Sequence, residues 1–261
     1  MNGKIKIYSK ANMLGQNLTL TVVFLLSVLL WLIISNSFVP GEFLLQLPFF
    51  RNAFSRIDFF IVKAVFFSLI GIISYVAFLP FSYGREIWFY ENSKKTRLAP
   101  NRLFEYYSIK KSLRAINILF QVHIRKFFVS LLFLVPSFIT AGCIVFSLQS
   151  GIGRKMLFVL LLSTILLTIS GLFFAFIFKQ RYFLATYLCY ENEGCKVKEA
   201  IKLSTEIMEN KCFETAFFKM SFAGWFLLCV FIFPVFYVYP FYRLSISSKA
   251  VFLLANIKNN A

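Results

Sequence analysis

The sequence predicts an all-α membrane protein: a polytopic transmembrane helical bundle of about six spans, five being the alternative count, with amphipathic helices at the cytoplasmic interface. Three observations predict it. Apolar runs long enough to span a bilayer alternate with polar loops, and the basic residues crowd into every second loop. The composition is also foreign to water: of 261 residues, 59% are hydrophobic and 15% charged, with a mean hydropathy of +0.74. A soluble domain is about 45–50% apolar and about 25% charged, so the apolar excess calls for a lipid solvent. Residues 1–261 are expected to form a single integral membrane domain.

The net charge of +17 raises the possibility of nucleic acid as a partner. The distribution excludes it, because the basic residues flank hydrophobic segments rather than gathering on one solvated face. Retention of Lys and Arg on the cytoplasmic side of a membrane, and their attraction to anionic phospholipid head groups, accounts for the pattern.

The chain opens with Lys4, Lys6 and Lys10 ahead of an uncharged run over 11–41, too long for the apolar core of a signal peptide. It reads as an uncleaved first span over 18–39, ended by Pro40 and Gly41. The connection that follows carries no net charge, and its apolar stretch 44–50 (LLQLPFF) suits the membrane interface. The second span is expected over 59–80. Lys63 lies one turn inside its start, where its aliphatic stem lets the ammonium reach the head groups.

Next comes a basic loop, 81–126. Ten bases (Arg85, Lys94, Lys95, Arg97, Arg102, Lys110, Lys111, Arg114, Arg125, Lys126) face three acids (Glu86, Glu91, Glu105). The positive-inside rule makes this loop cytoplasmic and places the N-terminus inside. Asn101 after Pro100 is the expected helix cap. From there Leu103, Tyr106, Ile109, Leu113, Ile116, Phe120, Ile124 and Phe127 recur at spacings of three and four, the pattern of an amphipathic helix lying on the inner membrane surface. Lys110, Lys111 and Arg114 form its charged face.

The third span, 127–148, contains Pro136 and Gly142 and is expected to kink. A turn at 149–153 leads to the fourth span, 156–178, where Ser170 and Gly171 permit close helix packing. A second cytoplasmic loop, 179–212, is nearly balanced in charge. Its helix should bury Val197, Ala200, Ile201, Ser204, Ile207 and Met208 on one face, with Lys202 and Glu206 paired on another. The last apolar block reads as a hairpin: a fifth helix over 213–233, a turn near Pro234, and a sixth helix to about residue 257. Arg243 and Lys249 interrupt that sixth helix, which costs several kcal/mol (~2.5–3.5 each on an insertion scale) if they face lipid and much less if they face the bundle. Tyr90-Glu91-Asn92 and Tyr190-Glu191-Asn192 form a weak internal echo, each followed by an amphipathic helix and a further hairpin.

Residues 200–211 (AIKLSTEIMENK), 217–228 (FFKMSFAGWFLL), 239–242 (YPFY) and 80–84 (PFSYG), with Leu103 and Phe104, resemble the bacterial membrane family called domain of unknown function 975. The chain departs from it in having Phe231 to Pro234 where that family has a glycine-containing turn, and Ser170-Gly171 where it has Pro-Gly. The resemblance implies a multi-span protein of the bacterial cytoplasmic membrane and supplies no catalytic residue.

Enzymatic chemistry is not legible in this chain. Phosphate-loop, dinucleotide and metalloprotease motifs are absent, and His123 is the only histidine. The cysteine spacing gives no zinc pattern, and no cofactor is expected. The expected function is therefore non-enzymatic: contact with anionic lipid, or with a membrane or cytoplasmic protein partner, through the cytoplasmic face. The alternative is a small transporter or exporter subunit, motivated by prolines in separate spans and by Lys63, Arg243 and Lys249 near the membrane. The candidate lipid- or ligand-contacting residues are Lys63, Arg85, Lys110, Lys111, Arg114, Arg181, Arg243 and Lys249. Arg85 and Arg181 are placed just inside cytoplasmic span ends, as head-group anchors.

Overall fold

A computed structural model describes residues 2–35, 56–94, 96–149, 153–192, 194–231 and 234–258, and among these the chain is helical with no strand. The α-helices are α1 (Asn2–Met13), α2 (Asn17–Ser35), α3 (Arg56–Ser93), α4 (Ile109–Gln149), α5 (Arg154–Phe178), α6 (Ala185–Glu191), α7 (Val197–Met208), α8 (Cys212–Met220), α9 (Ala223–Leu228) and α10 (Val235–Lys258). Short 3-10 helices occupy Pro100–Tyr107, Lys179–Tyr182 and Cys229–Phe231. The expected interfacial stretch 44–50, the break at Pro40 and Gly41, and most of the turn at 149–153 lie outside the described residues.

Five segments among the described residues are long and apolar enough to cross a membrane: Asn17–Ile34, Ile61–Ser93, Ile109–Gln149, Lys155–Glu191 and Cys212–Phe231. This is an all-α, multi-pass membrane protein. The helix expected as a sixth crossing, α10, is present but is not one of the five. Arg243, Lys249 and three serines dilute its apolar side chains.

The chain divides into two compact units, Met1–Ile116 with Trp225–Ala261, and Asn117–Gly224. The first is built around α10, which packs on α1, α2 and α3. Every residue of α10 over 244–250 is buried, so this helix meets protein on all sides, as a core helix does. Gly15, at φ +80°, ends α1 in the left-handed conformation that glycine adopts without strain, and the chain turns there into α2.

Two boundaries differ from the sequence reading. The second span does not stop at Pro80: α3 runs through it to Ser93. Proline removes the hydrogen bond to the Val76 carbonyl but leaves the rest of the ladder intact. At the adjacent Ala77 carbonyl, Tyr107 donates a hydroxyl hydrogen bond of 3.2 Å. Gly84, one turn later, lies so close to the Leu103 carbonyl that any Cβ would clash with it. The cap also differs: Ala99 precedes the 3-10 helix and Pro100 opens it, with Asn101 inside. Proline's fixed φ suits the first helical position, where no N–H is required.

The fifth helix, expected over 213–233, is interrupted between α8 and α9, then tightens into the 3-10 turn Cys229–Phe231. The turn at Pro234 is where the sequence places it. The Pro234 carbonyl accepts from the backbone N–H groups of Tyr237 and Val238 at the start of α10. Trp225 meets Phe241 and Phe226 meets Tyr242 edge-on, at 6.3 and 5.1 Å between ring centres, so the chain doubles back on itself.

In the second unit, Gly171 of α5 sits against the Phe133 carbonyl of α4, 2.5 Å from where a Cβ would stand. The close approach expected of Ser170 and Gly171 is made by the glycine. Helix α7 buries Ala200, Ile201, Ser204 and Met208, the face that the periodicity predicts, and Ile201 packs with Val122 and Ala185. Helix α4 continues past Pro136 without a break in its assignment.

Candidate functional site

The charges of α10 have protein partners, and those partners come from sequence-distant helices. Arg243 is ion-paired through Nη1 with Glu86 Oε1 of α3, and their side chains remain 22% and 25% exposed. Its Nε donates to the Tyr239 hydroxyl at 3.2 Å, and its guanidinium lies 5.4 Å from the centre of the same ring. Tyr239 is held from behind by Phe24 of α2, at 5.1 Å. One helical turn separates Tyr239 from Arg243, which puts both on the same face of α10.

Arg85, beside Glu86 on α3, lies within electrostatic reach of Arg243, Tyr239 and Glu86. Its Nε is buried and has no hydrogen-bond partner among the described residues. Among the described residues the locus thus holds two guanidinium groups and one carboxylate. Tyr242 adds a phenol within electrostatic reach of Arg243 and Glu86.

Lys249 is fully buried, at 0% exposure, and its Nζ donates to Asn2 Oδ1 of α1 at 3.2 Å. Beside it, Ser9 of α1 donates to Ser248 at 3.0 Å, and Tyr8 packs edge-on against Phe252. This side chain bonds α1 to α10.

Lys63 does not join the Arg243 locus. It lies above the Phe67 ring at 5.7 Å, on the same helix as Glu86 but 23 residues earlier (86 − 63). At about 1.5 Å of rise per residue, roughly 35 Å of helix separates it from Glu86. Lys63 therefore does not share a locus with Glu86 and its partner Arg243.

The basic surface lies on the 3-10 helix Pro100–Tyr107 and the first turns of α4. Lys110 and Lys111 are exposed, Arg114 is half-buried, and Lys111 pairs with Glu105. Interleaved with them, Phe104, Tyr107, Ile109 and Leu113 turn large apolar surfaces outward, Ile109 and Leu113 remaining 81% and 64% exposed. Partial burial pushes the Tyr107 phenol above its ordinary range, so it stays protonated and keeps donating to Ala77. An open groove of about 480 Å³ runs beside it, lined by Ile72, Ile73, Val76, Pro80, Tyr107 and Ile116.

Arg181, in the second unit, is exposed with its guanidinium over the Phe178 ring at 5.1 Å. Its backbone carbonyl accepts from Ser204 Oγ at 2.8 Å, and that oxygen accepts from the Leu184 N–H at 3.2 Å. Gln180 Oε1 accepts from Lys219 at 2.7 Å, and the Lys219 ammonium lies 4.5 Å from the Phe183 ring centre. These bonds join α7 and α8 to the 3-10 turn after α5.

Sequence reasoning missed Glu86, Asn2 and Ser9 as partners. The second span is expected to end at Pro80, which leaves Glu86 in a loop, whereas the helix continues through it to Ser93. The spacing of Tyr239 and Arg243 was a usable signal. No cluster of three or more potential metal ligands occurs among the described residues, and all five cysteines are free thiols. No family model, no curated protein and no solved structure matches the chain.

Proposed function

We propose that this is a non-enzymatic protein of the bacterial cytoplasmic membrane, its N-terminus inside, whose basic inner face binds anionic phospholipid head groups. One observation carries the reading: around the junction of the 3-10 helix and α4, exposed Lys110 and Lys111 alternate with outward-facing Ile109, Leu113, Phe104 and Tyr107. In water such apolar exposure is unfavourable at about 25 cal/mol per Å². At a membrane interface the same side chains enter the acyl boundary while each lysine near an anionic surface contributes about 1 kcal/mol. The open groove beside Pro80 is apolar and of a size to take part of an acyl chain. The kinship with domain of unknown function 975 belongs to this proposal and adds no activity to it.

The test uses the full chain in nanodiscs. Thermal unfolding is compared in phosphatidylglycerol and in phosphatidylcholine, for the native protein and for a variant with Lys110→Glu, Lys111→Glu and Arg114→Glu. The native protein should be the more stable in the anionic lipid, and the variant should lose that difference. Equal stabilisation of both proteins by phosphatidylglycerol rejects the assignment of head-group binding to this face.

A further inference from the structure

We propose that Arg85 and Arg243, held between α3 and α10, form a binding site for a phosphate-class oxyanion. The site is built from residues other than the exposed lysines discussed above and goes beyond the surface reading.

The charge balance is the first reason. Glu86 is ion-paired with Arg243, while Arg85 stands within electrostatic reach of both, so among the described residues this locus shows two guanidinium groups and one carboxylate. An arginine does not escape such a position by losing its proton. The second reason is the hydrogen-bond balance. Arg243 is committed to Glu86 and Tyr239, whereas Arg85 Nε is buried with no partner among the described residues. A buried unsatisfied donor costs about 1–3 kcal/mol, and more when charged, unless another group supplies an acceptor. An oxyanion brings both the missing charge and the missing acceptors.

Geometry selects the class of anion. The two guanidinium groups are carried on packed helices, and a tetrahedral oxyanion has oxygens enough to accept from both. Arg243 and Glu86 are not sealed off, their side chains keeping 22% and 25% of their surface exposed. The same chemistry fits a lipid phosphodiester entering from the bilayer edge and inorganic phosphate entering from water.

The experiment uses the full chain, purified in a non-ionic detergent without phosphate. Binding is followed by native mass spectrometry and by the shift in thermal midpoint, with inorganic phosphate in one arm and short-chain phosphatidylglycerol in the other, sodium chloride serving as the ionic-strength control. Saturable binding is expected in at least one arm. Arg85→Gln should weaken it by about tenfold or more, the loss of one charge-assisted pair, and Arg85→Lys should restore part of it. Glu86→Gln removes the competing carboxylate from Arg243 and should tighten binding several-fold, a direction that damage to the fold cannot produce.

Saturation by the lipid alone assigns a head-group site, and saturation by phosphate assigns a site for a soluble oxyanion. No saturable binding in either arm overturns the proposal, as does native affinity in Arg85→Gln. Should Arg85→Gln fail to fold, Glu86→Gln decides, and unchanged or weakened binding there overturns it.

Discussion

The two units treat polar groups differently. In the first, charge is carried into the interior and matched there: Arg243 with Glu86, and Lys249 with Asn2. In the second, the bonds that join α7 and α8 to the 3-10 turn after α5 pass through neutral side chains and main chain on at least one side, with Ser204 bridging Arg181 and Leu184 and the neutral Gln180 receiving the Lys219 ammonium. The contrast extends to the echoed tripeptides. Asn92 is buried, its Nδ2 donating to the Trp88 carbonyl and its Oδ1 accepting from the Leu98 N–H, whereas Asn192 is exposed at the end of α6. The asparagines of the two tripeptides thus differ in packing. The comparison teaches that α10 tolerates charge because it is enclosed by three helices, while α4 and α5, largely exposed along their spans, present apolar side chains outward.

Lys249→Ala should strike this contrast hardest. It empties a fully buried site and strips Asn2 of its partner, so a loss of about 3 kcal/mol is expected in thermal or detergent-induced unfolding. Lys249→Met keeps the stem and should recover most of it. If both variants fall equally, the ammonium rather than the packing dominates.

The paired glycines come next. Gly84→Ala drives a methyl into the Leu103 carbonyl in the first unit, and Gly171→Ala drives one into the Phe133 carbonyl in the second. Overpacking against main chain costs about 1–3 kcal/mol. Hydrogen exchange should show each loss of protection confined to its own unit, and spreading across both would abolish the division.

Ser204→Ala should cost about 1–2 kcal/mol, since it leaves the buried Leu184 N–H without its acceptor. Faster exchange at Leu184, with the first unit unaffected, is the expected signature. The smallest effect belongs to Lys202→Ala. Its pair with Glu206 spans 3.9 Å between largely exposed side chains, and at most a few tenths of a kcal/mol should be lost, an effect that salt should erase.

Much of the fold was legible because it depends on local pattern. The apolar runs located α2, α3, α4 and α5, the three- and four-residue spacing located the buried face of α7, and Pro234 marked the hairpin turn. The apolar stripe of α4 was legible as a stripe, but not the side it faces: Ile109, Leu113, Phe120 and Ile124 point outward, while Ala115, Ile118, Leu119 and Val122 are buried. Periodicity reports that a helix has two faces and is silent on which one meets protein when the outer solvent is also apolar.

By itself the sequence determined the class of the protein, because the solvent a helix can cross depends on its length and apolarity, both local properties. It also located Arg85, Arg243 and Lys249 as residues needing an explanation. Only the tertiary structure decided what answers them. Glu86 stands 157 residues from Arg243 and Asn2 stands 247 from Lys249, distances in sequence that no spacing rule connects. The compensation of a buried charge is a property of neighbours in space, and α10 acquires those neighbours only when α1, α2 and α3 close around it.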